Sequence, residues 1–135
     1  MPFVIDASIV VAWGLAEDSA VAAKALRRIE ADQAFAPSLW WFEVRNGLIV
    51  SERRGRIRET RTVEFLGELA ETAVSFDTAP DENRMIALAR EHRLTVYDAA
   101  YLELALRRAL PLATLDMPLA HAARAEGVPL VGENG

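Results

Sequence analysis

Cysteine is absent from the 135-residue sequence, lysine occurs once, and there is no long run of apolar residues. Without cysteine the chain can form no disulfide, no thiolate metal site and no cysteine nucleophile, which fits a cytoplasmic protein. The apolar opening segment is interrupted by Asp6, and no basic residues precede it. No run approaches the roughly 20 apolar residues of a membrane span. We therefore expect neither a signal peptide nor a membrane anchor.

Positive charge is scarce and almost entirely arginine, since Lys24 is the only lysine and the net charge is -5. This balance argues against a broad basic surface that coats nucleic acid, although it leaves room for a local contact. Five arginines within one short stretch form the only concentrated positive feature: Arg53, Arg54, Arg56, Arg58 and Arg61. Two interpretations fit this stretch equally well. It is a solvated helix end and turn, or a contact with phosphate or a partner protein.

Short apolar segments alternate with helical patterns along the chain. The predicted strands are 3–5, 34–36, 73–76, 111–115 and 128–131, with a brief extended segment at 94–96. Helices of ordinary length separate them, which is typical of a parallel sheet with helices on both faces. With 52% hydrophobic residues, the length suits one domain spanning residues 1–135. The sequence therefore predicts a three-layer α/β/α fold with a central parallel sheet.

Three aspartates follow predicted strands or extended segments. Asp6 follows the letters FVI, Asp98 follows TVY and Asp116 follows ATL. In an open parallel α/β sheet, ligands bind beyond the carboxyl ends of the strands, so these side chains are candidates to converge at one edge. Each also has a simpler explanation, because aspartate is a favoured N-cap that accepts backbone N–H hydrogen bonds at a helix start. For a single aspartate taken alone, capping is the commoner role.

Glu43 lies inside the apolar helical segment LWWFEV, where a carboxylate has no capping role. An ionised group there is costly unless it is paired. It is an exposed residue, a partner of Arg45 or another arginine, or a metal ligand that faces the aspartates. Clustered carboxylates repel one another and raise their own pKa values, so such a cluster is expected chiefly around a divalent cation. Oxygen ligands without cysteine or paired histidines favour Mg²⁺ or Mn²⁺ over zinc.

Three segments together resemble PIN-domain ribonuclease toxins of the VapC type, and the match runs over nearly the whole chain. They are IDASIVVAW, PSLWWFEVRNGL and TVYDAAYLELALRRALPLATLD. The resemblance implies a PIN-like fold and an endoribonuclease that depends on Mg²⁺ or Mn²⁺. It also implies a homodimer and a VapB-type antitoxin whose segment packs over the helices and blocks the site. The acidic site that the resemblance implies consists of Asp6, Glu43, Asp98 and Asp116.

Ser8 and Thr114 match polar positions near the metal site in this family, which makes them candidate accessory residues. Both also have structural explanations that fit the sequence equally well. Ser8 suits helix capping, and Thr114 suits a hydroxyl at a strand end. The sequence leaves these two roles open.

Two alternatives to an active nuclease need to be considered. A receiver-like phosphoacceptor signalling domain is also small, acidic and doubly wound, and it also holds Mg²⁺ among carboxylates. It calls for a paired acidic cluster after the first strand and a lysine near the end, whereas this chain has a lone Asp6 and only Lys24. The second alternative is a catalytically inactive PIN-like binding module, which requires that one of the four carboxylates fails to join the site.

Overall fold

The computed structural model describes residues 1–133, and in this range short strands alternate with helices. The strands are β1 (Phe3–Ile5), β2 (Ala34–Pro37), β3 (Val74–Asp77) and β4 (Leu112–Ala113). The helices are α1 (Ala7–Gly14), α2 (Ala20–Ala31), α3 (Trp40–Arg53), α4 (Glu59–Leu69), α5 (Glu82–His92), α6 (Val96–Arg108) and α7 (Met117–Ala125). Within the described range, no helix is long and apolar enough to cross a membrane.

The strands are parallel and lie side by side in the order β3-β2-β1-β4. Strand β1 is therefore internal, with Val4 paired to Phe35 of β2 on one side and to Leu112 of β4 on the other. Because parallel strands share one direction, the segments that follow them all leave from the same edge of the sheet. This carboxyl edge is where the sequence predicts the functional residues.

Helices cover both faces of the sheet. Arg28 of α2 lies over the Phe3 ring, whereas Arg108 of α6 lies over the Phe35 ring. Phe3 pairs with Ala34, the residue before Phe35, and neighbouring strand residues point to opposite faces. Helices α2 and α6 therefore lie on opposite faces. Helix α1 packs against α2, α3 and α4, while α6 packs against α5 and α7, which completes the predicted α/β/α arrangement.

The most deeply buried elements are β1 and α6. All three residues of β1 are fully buried, and α6 contributes seven consecutive buried residues, 99–105. A helix that is buried all round is a central one, and α6 contacts the sheet as well as α5 and α7. Its N-terminal end therefore has a fixed position at the carboxyl edge of the sheet.

Three predicted segments differ from the structure. The strand predicted at 111–115 is shorter and covers only Leu112–Ala113. The segment 94–96 forms no strand, because Thr95 is the N-cap of α6 and its hydroxyl accepts the Asp98 N–H at 3.1 Å. A threonine that satisfies a free N–H group at a helix start favours the helix over an extended segment. The segment 128–131 contributes a single parallel bridge, between Leu112 and Leu130, instead of a full strand.

Candidate active site

The four carboxylates predicted from the sequence line one pocket at the carboxyl edge. The pocket has a volume of about 400 Å³. Each carboxylate comes from a different part of the fold, and these are Asp6 after β1, Glu43 in α3, Asp98 in α6 and Asp116 before α7. A further carboxylate on the wall, the exposed Glu17, was not predicted. The fold thus brings together acidic residues from opposite ends of the sequence.

Each of the four predicted carboxylates lies at the start of a helix. Asp6 and Asp116 precede α1 and α7, whereas Glu43 and Asp98 lie in the first turns of α3 and α6. Neither Asp6 nor Asp116 accepts a capping hydrogen bond with its side chain, so the capping interpretation does not explain them. Asp98 follows the cap residue Thr95 instead of a strand, contrary to the prediction. The positive ends of four helix dipoles meet at the pocket and partly offset its negative charge.

Asp6 is buried, with 5% of its surface exposed, and two hydroxyl groups hold its carboxylate. Oδ2 of Asp6 accepts hydrogen bonds from the hydroxyls of Ser8 and Thr114, each at 2.7 Å. The Ser8 oxygen accepts the Leu115 N–H at 2.9 Å, and the Thr114 oxygen accepts the Asp116 N–H at 3.0 Å. Each hydroxyl therefore links Asp6 to the backbone that follows β4, which fixes the orientation of the carboxylate.

Glu43 is held by a residue that the sequence analysis missed. The hydroxyl of the buried Tyr101 donates a hydrogen bond to Oε1 of Glu43 at 2.6 Å. Arg45, the alternative partner of Glu43, instead lies over the Trp41 ring and donates to the Trp41 carbonyl oxygen. The signal for Tyr101 is its place three residues after Asp98, because that spacing puts both residues on one face of α6.

A close contact between α1 and α3 sets the position of Glu43. Gly47, one turn after Glu43, and Val11 of α1 both line the pocket. A Cβ atom on Gly47 would lie 2.6 Å from Cγ2 of Val11, which is closer than van der Waals contact allows. Glycine at this position therefore lets α3 approach α1 closely enough for Glu43 to reach the pocket.

Three carboxyl groups of the pocket, those of Asp6, Glu43 and Asp98, hold their protons more strongly than carboxyl groups in water. Burial raises the pKa of Asp6 above its usual range, and the hydrogen bonds from two hydroxyl groups offset only part of this effect. Burial also raises the pKa of Glu43. Burial, followed by the neighbouring charges of Asp116 and Asp6, raises the pKa of Asp98 to about 7. Without a cation, the pocket therefore disfavours the charged forms of these three carboxyl groups.

The donor atoms of the pocket fit a hard divalent cation. In residues 1–133, none of the four predicted carboxylates forms an ion pair with a lysine or arginine. Within that range, no three of them bring oxygen atoms within 4.8 Å of one another. Mg²⁺ usually binds through one or two carboxylates and keeps several waters, so this open arrangement suits it. A tighter group lies outside the pocket, where Nε2 of His92 lies 2.9 Å from Oε2 of Glu126, beside Glu91.

A second charged cluster ties β3 to α6. The Asp77 side chain is 5% exposed and accepts hydrogen bonds from Arg107 at 2.9 and 3.0 Å and from Arg108 at 3.0 Å. Arg107 also pairs with the fully buried Glu103 at 2.7 Å. The hydrogen bonds from Arg107 hold the pKa of Asp77 well below its usual range. Both carboxylates here have a cationic partner, in contrast to those of the acidic pocket.

The fold and the pocket define an α/β protein with an acidic site at the carboxyl edge of a parallel sheet. The chain matches the PIN-domain family over residues 3–125, and it belongs to that family. It is 36% identical over 124 residues to Ribonuclease VapC3 from Pyrobaculum aerophilum, a match that covers 89% of this chain and 93% of that protein. It is also similar to the crystal structure of PAE2754 from Pyrobaculum aerophilum, with a TM-score of 0.67 and 26% identity, over 90% of this chain and 87% of that one.

Membership of this family confirms the resemblance carried by the three sequence segments, and it excludes the receiver-like alternative. The strand order agrees with this conclusion. The flavodoxin-like order of receiver folds is 2-1-3-4-5, in which the first strand lies between the second and the third. Here β1 lies between β2 and β4.

Proposed function

We propose that the chain is a metal-dependent endoribonuclease and the toxin of a toxin–antitoxin pair, with the acidic pocket as its active site. The observation that carries this proposal is the convergence of four carboxylates from four parts of the fold on one pocket. The ribonuclease name of the relative from Pyrobaculum aerophilum supports the reaction class. The substrate is an RNA phosphodiester bond, and the cofactor is Mg²⁺ or Mn²⁺.

Some polar residues of the pocket would hold the cation, and others orient the residues that hold it. When bound, the cation supplies polarisation of the phosphodiester and activation of water. Ser8 and Thr114 keep Asp6 in one orientation, and the hydroxyl of Tyr101 does the same for Glu43. Because these hydroxyl groups are already in place, Asp6 and Glu43 have fixed orientations before a cation binds. The residues that would hold it are Asp6, Glu43, Asp98 and Asp116.

Exposed aromatic residues beside the pocket provide a surface for protein partners. Phe42 and Tyr97 are 70% and 62% exposed, and together with Glu43 they line a cavity of about 470 Å³. Trp41, next to Phe42, is 45% exposed. Contiguous exposed apolar surface marks sites of protein interaction. We propose that a second copy of the chain and a VapB-type antitoxin bind on this side of the protein.

Substitution of the pocket carboxylates tests the proposed function. Asp6→Asn, Glu43→Gln and Asp98→Asn each remove one charged ligand at nearly constant volume. We therefore expect each variant to lose RNA cleavage in Mn²⁺ while keeping its fold, and Asp116→Asn to have an equal or milder effect. Gel analysis of labelled RNA measures the cleavage, and far-UV circular dichroism checks the fold.

Asp81→Asn is the matched control for these substitutions. Asp81 lies outside the pocket and caps α5 by accepting the Arg84 N–H at 3.2 Å. Asparagine is itself a good N-cap, so this variant is expected to cleave RNA like the parent. A chelator of divalent cations is expected to stop cleavage by both proteins. Full metal-dependent cleavage by Asp6→Asn or Asp98→Asn would show that the site is wrongly assigned.

A further inference from the structure

The last residue of α3 and the segment that joins α3 to α4 carry four arginines without ion-pair partners in residues 1–133. Together we call them the arginine loop: Arg53, Arg54, Arg56 and Arg58. All four are exposed, and none takes part in an ion pair within residues 1–133. The next arginine, Arg61, differs because its guanidinium pairs with Glu64 and Glu68 of α4. Positive charge is therefore uncompensated at this loop, in a chain whose net charge is -5.

A groove of about 340 Å³ lies against the arginine loop. Arg56, Arg58 and Arg61 line the groove together with residues 14–16, which end α1. Gly55, between two of the arginines, has a φ of 71°, and a Cβ atom there would meet nothing within 4 Å. The backbone of the loop is thus open to solvent. A ligand in the groove would lie directly against the guanidinium groups.

Helices α1 and α3 connect this groove to the acidic pocket. Arg54 follows Glu43 by eleven residues in the sequence. Eleven residues make about three helical turns, so Arg54 lies on nearly the same side of α3 as Glu43 and about 16 Å further along. Helix α1 takes the same course, because residues within its segment 7–12 line the pocket and residues 14–16, at and just after its C-terminal end, line the groove. Glu17, the next residue, also lines the pocket. The seam between the two helices therefore leads from the pocket to the arginine loop.

We propose that the arginine loop binds the phosphate backbone of the RNA whose scissile bond lies in the acidic pocket; this inference rests on the proposed function. Guanidinium groups match phosphate oxygens in charge and in bidentate geometry. The pocket repels a polyanion, whereas the loop attracts one at a distance that a short stretch of single-stranded RNA spans. Contacts to the phosphates of a nucleic acid hold it in place but do not read its base sequence. We therefore expect the arginine loop to contribute affinity and to fix the position of the RNA along the protein.

The salt dependence of RNA binding tests this proposal. The probe is a labelled single-stranded RNA of about 16 nucleotides, the upper end of the site sizes of single-strand-binding modules. Fluorescence anisotropy in chelator at several KCl concentrations gives Kd without any need for cleavage. The test variant combines Arg54→Gln, Arg56→Gln and Arg58→Gln. The matched control combines Arg27→Gln, Arg84→Gln and Arg90→Gln, which removes the same amount of positive charge. These arginines of α2 and α5 are exposed and form no ion pair in residues 1–133.

Each phosphate contact to a single strand contributes about 0.7 to the slope of log Kd against log salt, so the test variant is expected to lose about 2 from this slope. The control is expected to keep the slope of the parent, and both variants are expected to melt like the parent. A test variant with the slope and Kd of the control overturns the proposal, whether or not it loses affinity for an antitoxin. If the parent cleaves no RNA in Mn²⁺, the proposed function fails, and with it the link between the loop and a scissile bond. A reduced slope would then still establish the RNA contact.

Discussion

Asp6 is the most buried of the four predicted pocket carboxylates, and its hydrogen-bond partners among the described side chains carry no charge. A hydroxyl has a single hydrogen, and Ser8 and Thr114 both direct theirs at Asp6. Their oxygen atoms are then free to accept backbone N–H groups from the segment after β4. This arrangement holds the Asp6 carboxylate in position without neutralising it. The charge is therefore left available for a cation.

Thr114→Val keeps the shape of the side chain but removes the hydroxyl that joins Asp6 to the Asp116 N–H. A buried polar group without a partner costs about 1–3 kcal/mol, so we expect the free energy of unfolding to fall by about this amount. RNA cleavage is expected to fall as well, because Asp6 loses its fixed orientation. Urea unfolding and the RNA gel assay measure the two effects. Thr114→Ser keeps the hydroxyl and is the control. If the two variants prove equally stable and active, the hydroxyl has no such role.

Among the helices, the approach of α3 to α1 has the most direct effect on the pocket. Gly47→Ala places a Cβ atom 2.6 Å from Cγ2 of Val11, whose β-branched side chain has little freedom to rotate away. Overpacking of this kind costs about 1–3 kcal/mol, and the better helix propensity of alanine returns about 1 kcal/mol, so we expect the free energy of unfolding to fall by up to about 2 kcal/mol. Cleavage is also expected to fall, because Glu43 moves with α3. Chemical denaturation and the cleavage assay test both expectations.

Gly67→Ala is the matched control, since Gly67 also lies inside a helix but a Cβ atom there meets nothing within 4 Å. Alanine is about 1 kcal/mol more favourable than glycine inside a helix, so this variant is expected to be more stable than the parent. The double variant Gly47→Ala/Val11→Ala is expected to recover much of the lost stability and cleavage. A Gly47→Ala protein with the parent's stability would contradict the close contact.

Because Asp77 joins β3 to α6, the free energy of unfolding depends on pH in the acid range. The folded-state pKa of Asp77 lies below its unfolded value of about 3.9, so its ion pairs stabilise the fold above that pH. This contribution is lost as the pH falls towards the folded-state pKa. We expect Asp77→Asn to lower the free energy of unfolding by about 2 kcal/mol near neutral pH, and the difference from the parent to shrink below about pH 4. Urea unfolding across the acid range measures it, and a difference that does not change with pH would contradict the ion pairing.

Most of the fold could be predicted because hydrophobic pattern and local chemistry agree along most of the chain. The apolar β1 and the helices that follow each strand are examples. The prediction of an extended segment at 94–96 was wrong. The segment contains both an extended pattern and a threonine that caps α6, and the cap determines the structure. The segment 128–131 looks like a strand, yet only Leu130 finds a partner in β4. Whether such a segment becomes a strand depends on its pairing with residues that are distant in the sequence. A local sequence pattern does not contain that information.

Four of the five carboxylates that line the pocket could be predicted because they interrupt apolar segments or follow them. Their supporting groups are harder to predict. A buried tyrosine such as Tyr101 has the sequence pattern of a core residue. Its spacing from Asp98 places it on the same face of α6, but its hydrogen bond to Glu43, 58 positions away, is not contained in a local pattern. Glu17 was missed because it is one of many exposed acidic residues and follows α1 without any motif.

For the protein as a whole, the pocket is a source of both instability and ligand-dependent stability. Like charges that are close together in the folded chain and separated in the unfolded chain oppose folding. Four helix N-termini offset only part of this repulsion, since a helix end is equivalent to about half a charge. A cation that binds only the folded chain therefore stabilises it.

We expect Mn²⁺ at a hundredfold excess over Kd to stabilise the parent by about 2.7 kcal/mol, which raises Tm by roughly 10 °C for a chain of this size. In chelator at neutral pH, Asp98→Asn is expected to melt above the parent because it removes one of the repelling charges. It is expected to lose most of the Mn²⁺-dependent rise. Differential scanning fluorimetry measures these shifts, with Asp81→Asn as the control that keeps the full rise. If the parent's Tm does not respond to Mn²⁺ or Mg²⁺, the carboxylates do not form a cation site.

Of the four strands in residues 1–133, β1 is synthesised first, whereas its sheet neighbour β4 is synthesised last. Its partner β4 and the hydroxyl of Thr114 that holds Asp6 both come from near the end of the chain. A nascent chain that has just reached the end of α6 contains Asp6, Glu43 and Asp98 but lacks Asp116 and one neighbour of its central strand. The acidic pocket therefore cannot be complete before β4 and Asp116 have been synthesised. On the proposed function, a growing polypeptide that has not reached Asp116 lacks one of the four ligands of its active site.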